Sequence, residues 1–187
     1  MDNKKKKEKE KQVKFMLERF YPTEYIKSVQ NIDFQMYYDQ GIRGFIFDID
    51  NTLVPHGAPS TKDVVELFKK IHGIGIDTCL ISNNKESRVS PFAYDVDSKF
   101  VSNAHKPSTK NYIKAMELMH TDRESTIFVG DQLFTDVYGA NRAGIPSVLV
   151  KPINKKEEIQ IVLKRYLEKI VLWNWQRKLK KETNVNL

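Results

Sequence analysis

A single cysteine, Cys79, is all the chain contains, so no disulfide can form within it. A reducing, cytoplasmic compartment is the expectation. Long apolar runs are lacking too: no stretch of about eighteen residues is apolar enough to span a bilayer. The basic start, MDNKKKKEKEKQ, is not followed by an apolar core and a small-residue cleavage site, so it does not read as a secretory signal. Negative charge is in short supply, with 24 Asp and Glu against 31 Lys and Arg, a net charge of +7. That balance favours anionic partners such as acidic lipid surfaces, phosphorylated molecules or nucleic acid. No RNA-binding signature and no aromatic-studded basic strand occurs, so nucleic acid is the least expected of these. Internal repeats are absent.

The 187 residues, 40% of them hydrophobic, suit one soluble domain with extensions. Residues 1–12 are low-complexity lysine and glutamate and read as a disordered basic tail. Residues 13–40 read as a helical extension of two short pieces, because Pro22 interrupts the helical pattern. Residues 41–152 alternate between strand-like and helical patterns. The strand-like runs are Arg43–Ile49, Ile76–Ser82, Lys99–Ser102, Thr126–Gly130 and Ser147–Val150. Helices are predicted near 61–72, 86–94, 108–120 and 134–143, the third capped by Ser108 or Thr109 and the fourth ended by Gly144. This alternation predicts an α/β fold, a parallel sheet of about five strands with helices on both faces. Residues 153–187 read as a basic helix with an apolar stripe through Ile159, Leu163, Tyr166, Leu167, Ile170 and Trp173. The stripe suits packing, and the flanking Arg177, Lys178, Lys180 and Lys181 equally suit a membrane-surface helix.

In parallel sheets the ligand crevice lies beyond the carboxyl ends of the strands. Four strand ends carry polar groups. They are FDIDNT with Asp48, Asp50 and Thr52; LISNN with Ser82 and Asn83; SNAHKPS with Lys106; and FVGDQLFTD with Asp131 and Asp136. Ionised carboxylates avoid apolar surroundings unless paired, hydrogen-bonded or bound to metal. Magnesium takes one or two carboxylates together with waters and phosphate oxygens. A phosphoryl group wants a lysine, a hydroxyl and amide donors. One constellation serves both.

The roles follow. Asp48 can attack phosphorus to give an aspartyl-phosphate. Asp50, two positions on in an extended segment, can face the same substrate and act as general acid and then base. Ser82, Asn83 and Lys106 are the expected phosphate-binding groups. Asp48, Asp50, Asp131 and Asp136 are the candidate metal ligands for Mg2+, with Asp136 equally suited to holding Lys106. Thr52 reads as structural, bonding within its loop. His105 reads as a surface histidine, His56 as one that can touch substrate, and Cys79 as a small buried hydrophobe.

These four segments resemble the four motifs of the haloacid dehalogenase (HAD) superfamily: Asp-x-Asp-x-Thr, a strand ending in Ser, a lysine, and Gly-Asp-x-x-x-x-Asp. The resemblance implies a Rossmann-like core and a phosphatase. Its lids are inserted between the first and second or second and third motifs. Both intervals here are short and already hold a helix, so no lid domain fits, and the open site suits a bulky substrate. More narrowly, FYPTEYIKSVQNID, GIRGFIFDIDNTLV and VGDQLFTDVYGANRAG look like the YqeG-type branch of subclass IIIA, related to mitochondrial phosphatidylglycerophosphate phosphatases. That implies a lipid phosphate substrate, and the basic ends add the expectation of peripheral contact with an anionic membrane. The same chemistry on a soluble sugar phosphate, a nucleotide or a nucleic-acid phosphate end is the alternative. A signalling receiver domain has similar residues, but places its phosphorylated aspartate later in the chain.

Overall fold

The structure, a computed structural model, describes residues 2–154 and 159–185. It forms two compact units, Pro22–Lys156 and a smaller one made of Met1–Tyr21 with Glu157–Leu187. The larger unit holds six strands: β1 (Glu24–Ile26), β2 (Gly44–Phe47), β3 (Asp77–Ile81), β4 (Lys99–Val101), β5 (Thr126–Gly130) and β6 (Ser147–Val150). All pairings are parallel, in the order β1-β6-β5-β2-β3-β4. The helices of this unit are α2 (Phe34–Asp39), α3 (Lys62–Ile74), α4 (Glu86–Asp95), α5 (Thr109–Met119) and α6 (Tyr138–Ala143). The smaller unit holds α1 (Asp2–Glu18) and α7 (Ile159–Val185).

The central strands are buried on both faces, which is why β2 reads GFIF without polar alternation. Successive side chains still part to opposite faces. Phe45 and Phe47 enter one core with Phe34, Phe68, Ile71, Leu80, Val89, Phe92 and Val129. Ile46 enters the other with Cys79, Ile81, Tyr112, Met116, Phe128 and Ala140. Helices α2, α3 and α4 therefore cover one face, and α5 and α6 the other. The first core is bound by aromatic packing, with Phe34 edge-on to Phe45 at 5.0 Å and Phe47 against Phe68 at 5.2 Å. Such pairs add about 0.5–1.5 kcal/mol beyond their area.

The sheet has one strand more than expected. Residues 24–26 fall where a helical extension is expected, yet they pair with Val148, Leu149 and Val150. Three half-buried edge residues carry too little periodicity to be read as a strand. Their pairing is fixed instead by neighbours: Thr23 N donates to Ser147 O (2.8 Å), and Tyr37 OH donates to Glu24 Oε1 (2.6 Å). Residues 22–40 consequently belong to the sheet-bearing unit. Residues 2–12, which composition assigns to a disordered tail, are helical and form the first part of α1. Lysine, glutamate and glutamine are strong helix formers, and no breaker intervenes before Pro22. Ser108 occupies the N-cap position of α5 but makes no side-chain capping bond. Gly144 does end α6, with φ 78°. Of the expected stretch 153–187, residues 155–158 and 186–187 lie outside the described residues.

Candidate active site

From β2 the chain winds through β3 and β4 on one side, then returns to place β5 on the other side of β2. This reversal opens a crevice at the carboxyl ends of β2 and β5. Asp48 follows β2 and Asp131 follows β5, with Asp48 N donating to Val129 O at 2.9 Å. Ser82 follows β3. The segment after β4 is stitched onto that end: Asn103 N donates to Asn84 O (2.8 Å), Ala104 N to Ser82 O (2.9 Å) and Lys106 N to Asn83 Oδ1 (2.7 Å). Lys106 is thereby carried to Asp48.

Asp48 is buried, and its Oδ1 accepts from Lys106 Nζ. Thr52 Oγ1 lies 3.3 Å from both Asp48 Oδ2 and Asp131 Oδ1. Its one proton serves either acid, so it bridges the two strand ends. Burial pushes the Asp48 carboxyl up to about 6; the Lys106 ammonium opposes this, and Asp136 and Asp50 reinforce it. Burial works against charge on Lys106, but Asp136 and Asp48 outweigh it and hold its pKa above the ordinary lysine range.

Asp136 stands on a π-helical turn, Leu133–Val137, that precedes α6 where an uninterrupted helix is expected. Such turns concentrate at functional sites. Its Oδ1 meets Lys106 Nζ at 2.8 Å and its Oδ2 accepts from Gln132 N at 3.0 Å. Tyr112 OH lies 3.1 Å from Thr135 O and 3.2 Å from Asp136 O, which secures the turn from α5. Asp48, Asp131 and Asp136 each offer a carboxylate oxygen within 4.8 Å of the others.

Asp50 does not join this trio. Its Oδ1 accepts from Gly57 N (2.8 Å) and an Arg88 guanidinium nitrogen (3.2 Å), and its Oδ2 accepts from Asn84 Nδ2 (2.6 Å). The same Arg88 nitrogen donates to Ala58 O (2.7 Å), tying α4 to the loop after Asp50. Of the four candidate metal ligands, Asp50 is the one whose carboxylate stands outside the trio, its oxygens meeting neutral and cationic donors. The tight turn is made by Asn51 at φ 63°, a left-handed conformation asparagine tolerates. Arg88 and Asn84 are missing from the residues singled out in the sequence. One signal was there: a cation in the first turn of a helix opposes the helix dipole and needs a local acid to justify it.

Of the expected phosphate-binding groups, Ser82 and Lys106 are buried at the crevice. Ser82 Oγ accepts from Asn84 N at 3.2 Å. Asn83 spends its carbonyl on Lys106 N, which makes it a brace for the lysine loop. His56 Nδ1 lies 3.9 Å from Asp50 Oδ1 on an exposed side chain, whereas His105 is an exposed residue at φ 47°. Cys79 is fully buried, and burial pushes its thiol up to about 12, so it is no nucleophile.

The donor set fits a hard divalent cation. Three buried carboxylates gather their oxygens within 4.8 Å of one another, two of them beside the Lys106 ammonium, and oxygen ligands are what magnesium prefers.

A family model described as HAD-hydrolase-like matches residues 103–160. The chain is 33% identical over 165 residues to probable phosphatase YqeG of Bacillus subtilis (strain 168), covering 87% of this chain and 96% of that protein. It is 27% identical over 166 residues to phosphatidylglycerophosphate phosphatase 1, chloroplastic/mitochondrial, of Arabidopsis thaliana, over 82% of this chain but 47% of that protein. Among solved structures, an uncharacterized protein from Listeria monocytogenes serotype 4b shares the fold, with a TM-score of 0.50 at 17% identity over 63% of this chain and 85% of its own. With its acids and lysine gathered at the switch point of a parallel sheet, the chain belongs to the YqeG type of HAD phosphatases, which are phosphoric monoester hydrolases.

Proposed function

We propose that the protein is a magnesium-dependent phosphomonoesterase that works through an aspartyl-phosphate on Asp48 and acts on a lipid phosphate of the phosphatidylglycerophosphate kind. The observation that carries this reading is Asp48 itself: a buried strand-end carboxylate in contact with Lys106, bridged by Thr52 to Asp131, with Asp50 held apart on its own donors.

Asp48 attacks phosphorus, and the ester bond to the leaving oxygen breaks. Asp50 gives that oxygen a proton. In the second half Asp50 takes a proton from water, the water oxygen bonds to phosphorus, and the Asp48–phosphorus bond breaks to release phosphate. Lys106 and Ser82 hold phosphate oxygens through both halves. Asp48, Asp131 and Asp136 would hold the cation, whose chemistry is to offset the repulsion between carboxylate and phosphate.

The lipid substrate is favoured by the likeness to the plant enzyme and by the net charge of +7. The open crevice fits it too, since the β2–β3 and β3–β4 connections each hold one helix and no inserted domain. The test is phosphate release from phosphatidylglycerophosphate, soluble sugar phosphates, nucleotides and phosphorylated nucleic-acid ends, with and without magnesium, with Asp48→Asn as blank. Magnesium-dependent release from the lipid is the expected result. Release confined to soluble or nucleic-acid substrates overturns the lipid assignment, and turnover by Asp48→Asn overturns the mechanism.

A further inference from the structure

Helix α7 has two apolar faces, and only one of them is used. Val171 and Trp175 are 4% and 8% exposed, and Glu168, which shares their side of the helix, is 6% exposed. On the opposite side Tyr166 is 61% exposed, Ile170 55% and Trp173 54%. Tyr166, Ile170, Trp173 and Arg177 follow one another at helical spacing, a stripe about 16 Å long at 1.5 Å per residue. Leaving this much aromatic and aliphatic surface in water is unfavourable unless something covers it.

Its charge says what covers it. The acids of α7 among the described residues are Glu168 and Glu182, and neither lies on the stripe. Lys169, Arg177, Lys180 and Lys181 border it instead. Two of these cations sit on its rings: Lys169 Nζ is 5.0 Å from the Tyr166 ring and the Arg177 guanidinium carbon 4.5 Å from Trp173. The same unit exposes Val13, Phe15 and Met16 on α1, and Glu18 of that helix holds Lys178 at 3.1 Å. A second copy of the chain is a poor occupant, because the face would meet its own positive charge. A nucleic acid would satisfy the cations but leave the aliphatic and aromatic stripe wet. An anionic bilayer satisfies both at once, with rings and aliphatic chains at the acyl boundary and cations among the headgroups.

We propose that the Tyr166–Ile170–Trp173 face of α7, with its bordering cations, is a docking surface for an anionic lipid bilayer. The inference names the partner for the lipid-phosphate reading and rests on that reading for its purpose. The whole chain is sedimented with phosphatidylglycerol-containing vesicles and with pure phosphatidylcholine vesicles. Binding to the anionic vesicles alone is expected, weakened about fivefold for each cation removed, as in Arg177→Gln or Lys181→Gln. Ile170→Glu should lose at least about tenfold in vesicle affinity while hydrolysing p-nitrophenyl phosphate at the wild-type rate. Tryptophan emission should shift to the blue with anionic vesicles, and Trp173→Phe should abolish that shift because Trp175 is already buried.

Equal binding by Ile170→Glu, no vesicle binding by the wild type, or a dimer that Ile170→Glu dissociates would each overturn the proposal. So would duplex nucleic acid that displaces the protein from vesicles. Lipid-phosphate hydrolysis in detergent micelles separates the two claims. Vesicle binding without that hydrolysis sinks the substrate and keeps the surface; hydrolysis without vesicle binding does the reverse.

Discussion

Gly130 is the residue on which the geometry of Asp136 turns. A Cβ added there would lie 2.6 Å from Asp136 Oδ2, 2.7 Å from Asp136 Cγ and 2.7 Å from Phe128 Cε1. Ordinary contact begins at 3.4 Å, so Asp136 must retreat by about 0.8 Å. It cannot do so freely, because Lys106 Nζ holds one oxygen at 2.8 Å and Gln132 N the other at 3.0 Å. Glycine is needed here for close approach and not for an unusual backbone angle. A displacement of about 1 Å in a catalytic constellation costs about 100-fold in rate. Gly130→Ala should therefore lose about two orders of magnitude in kcat/KM with p-nitrophenyl phosphate, and about 1–3 kcal/mol of stability from overpacking. Steady-state kinetics and urea unfolding measure the two effects separately. The control is the same substitution on an Asp136→Ala background, where the carboxylate is gone and only Phe128 resists the methyl group. There Gly130→Ala should add little further loss, since the two changes act on one contact. Wild-type kinetics for Gly130→Ala, or a fully additive loss in the double variant, would refute the reasoning.

Arg88 bridges Asp50 and Ala58, so Arg88→Met should lower kcat by about 10- to 100-fold through a mobile general acid, with Arg88→Lys recovering part of it and KM little changed. Kinetics of both variants decide it. Lys106→Met leaves the buried acids without their ammonium, which should cost about 3–5 kcal/mol in metal-free protein; thermal melts should show magnesium restoring more stability to the variant than to the wild type. Cys79 should resist thiol reagents at pH 8 until the protein unfolds. Because burial raises its thiol from 9.0 to about 12, the folded chain keeps a proton that the unfolded chain releases, so stability falls as pH climbs from 9 toward 12. Urea unfolding across that range should have a shallower slope for Cys79→Ala.

The strands that carry chemistry were legible because they are central. Burial on both faces forces Gly44–Phe47 and Thr126–Gly130 to be almost wholly apolar, and a polar residue at their end then stands out. Edge strand β1 has no such constraint, and its pairing is decided by β6, far away in sequence. Within the site, the motif spacing singles out Asp48, Ser82, Lys106, Asp131 and Asp136, which the fold brings to neighbouring strand ends. It could not tell what each carboxylate would face. Asp50 lies two residues from Asp48, and an extended chain would point both the same way. The chain instead turns at Asn51, with Asn51 N donating to Val54 O at 2.7 Å, and Asp50 is handed to Arg88 and Asn84. Those two follow β3 in the chain, and only the folded sheet brings them to Asp50.

That turn explains how one short segment yields two acids with different duties. Asp48 faces carboxylates and one ammonium, so burial and its neighbours raise the cost of its charge until a cation or phosphate rebalances the site. Asp50 faces only donors: a backbone amide, a side-chain amide and a guanidinium. A nucleophile benefits from the first environment, because a carboxylate with few donors keeps its electron pair available for phosphorus. For Asp50 the fixed donors hold both oxygens in one orientation. The separation also leaves the Asp50 carboxylate outside the Asp48, Asp131 and Asp136 cluster. Moving Arg88 or Asn84 would relax that separation before it touched the nucleophile. Their loss should therefore act on the proton-transfer halves of the reaction and leave the capture of phosphate by Lys106 and Ser82 intact.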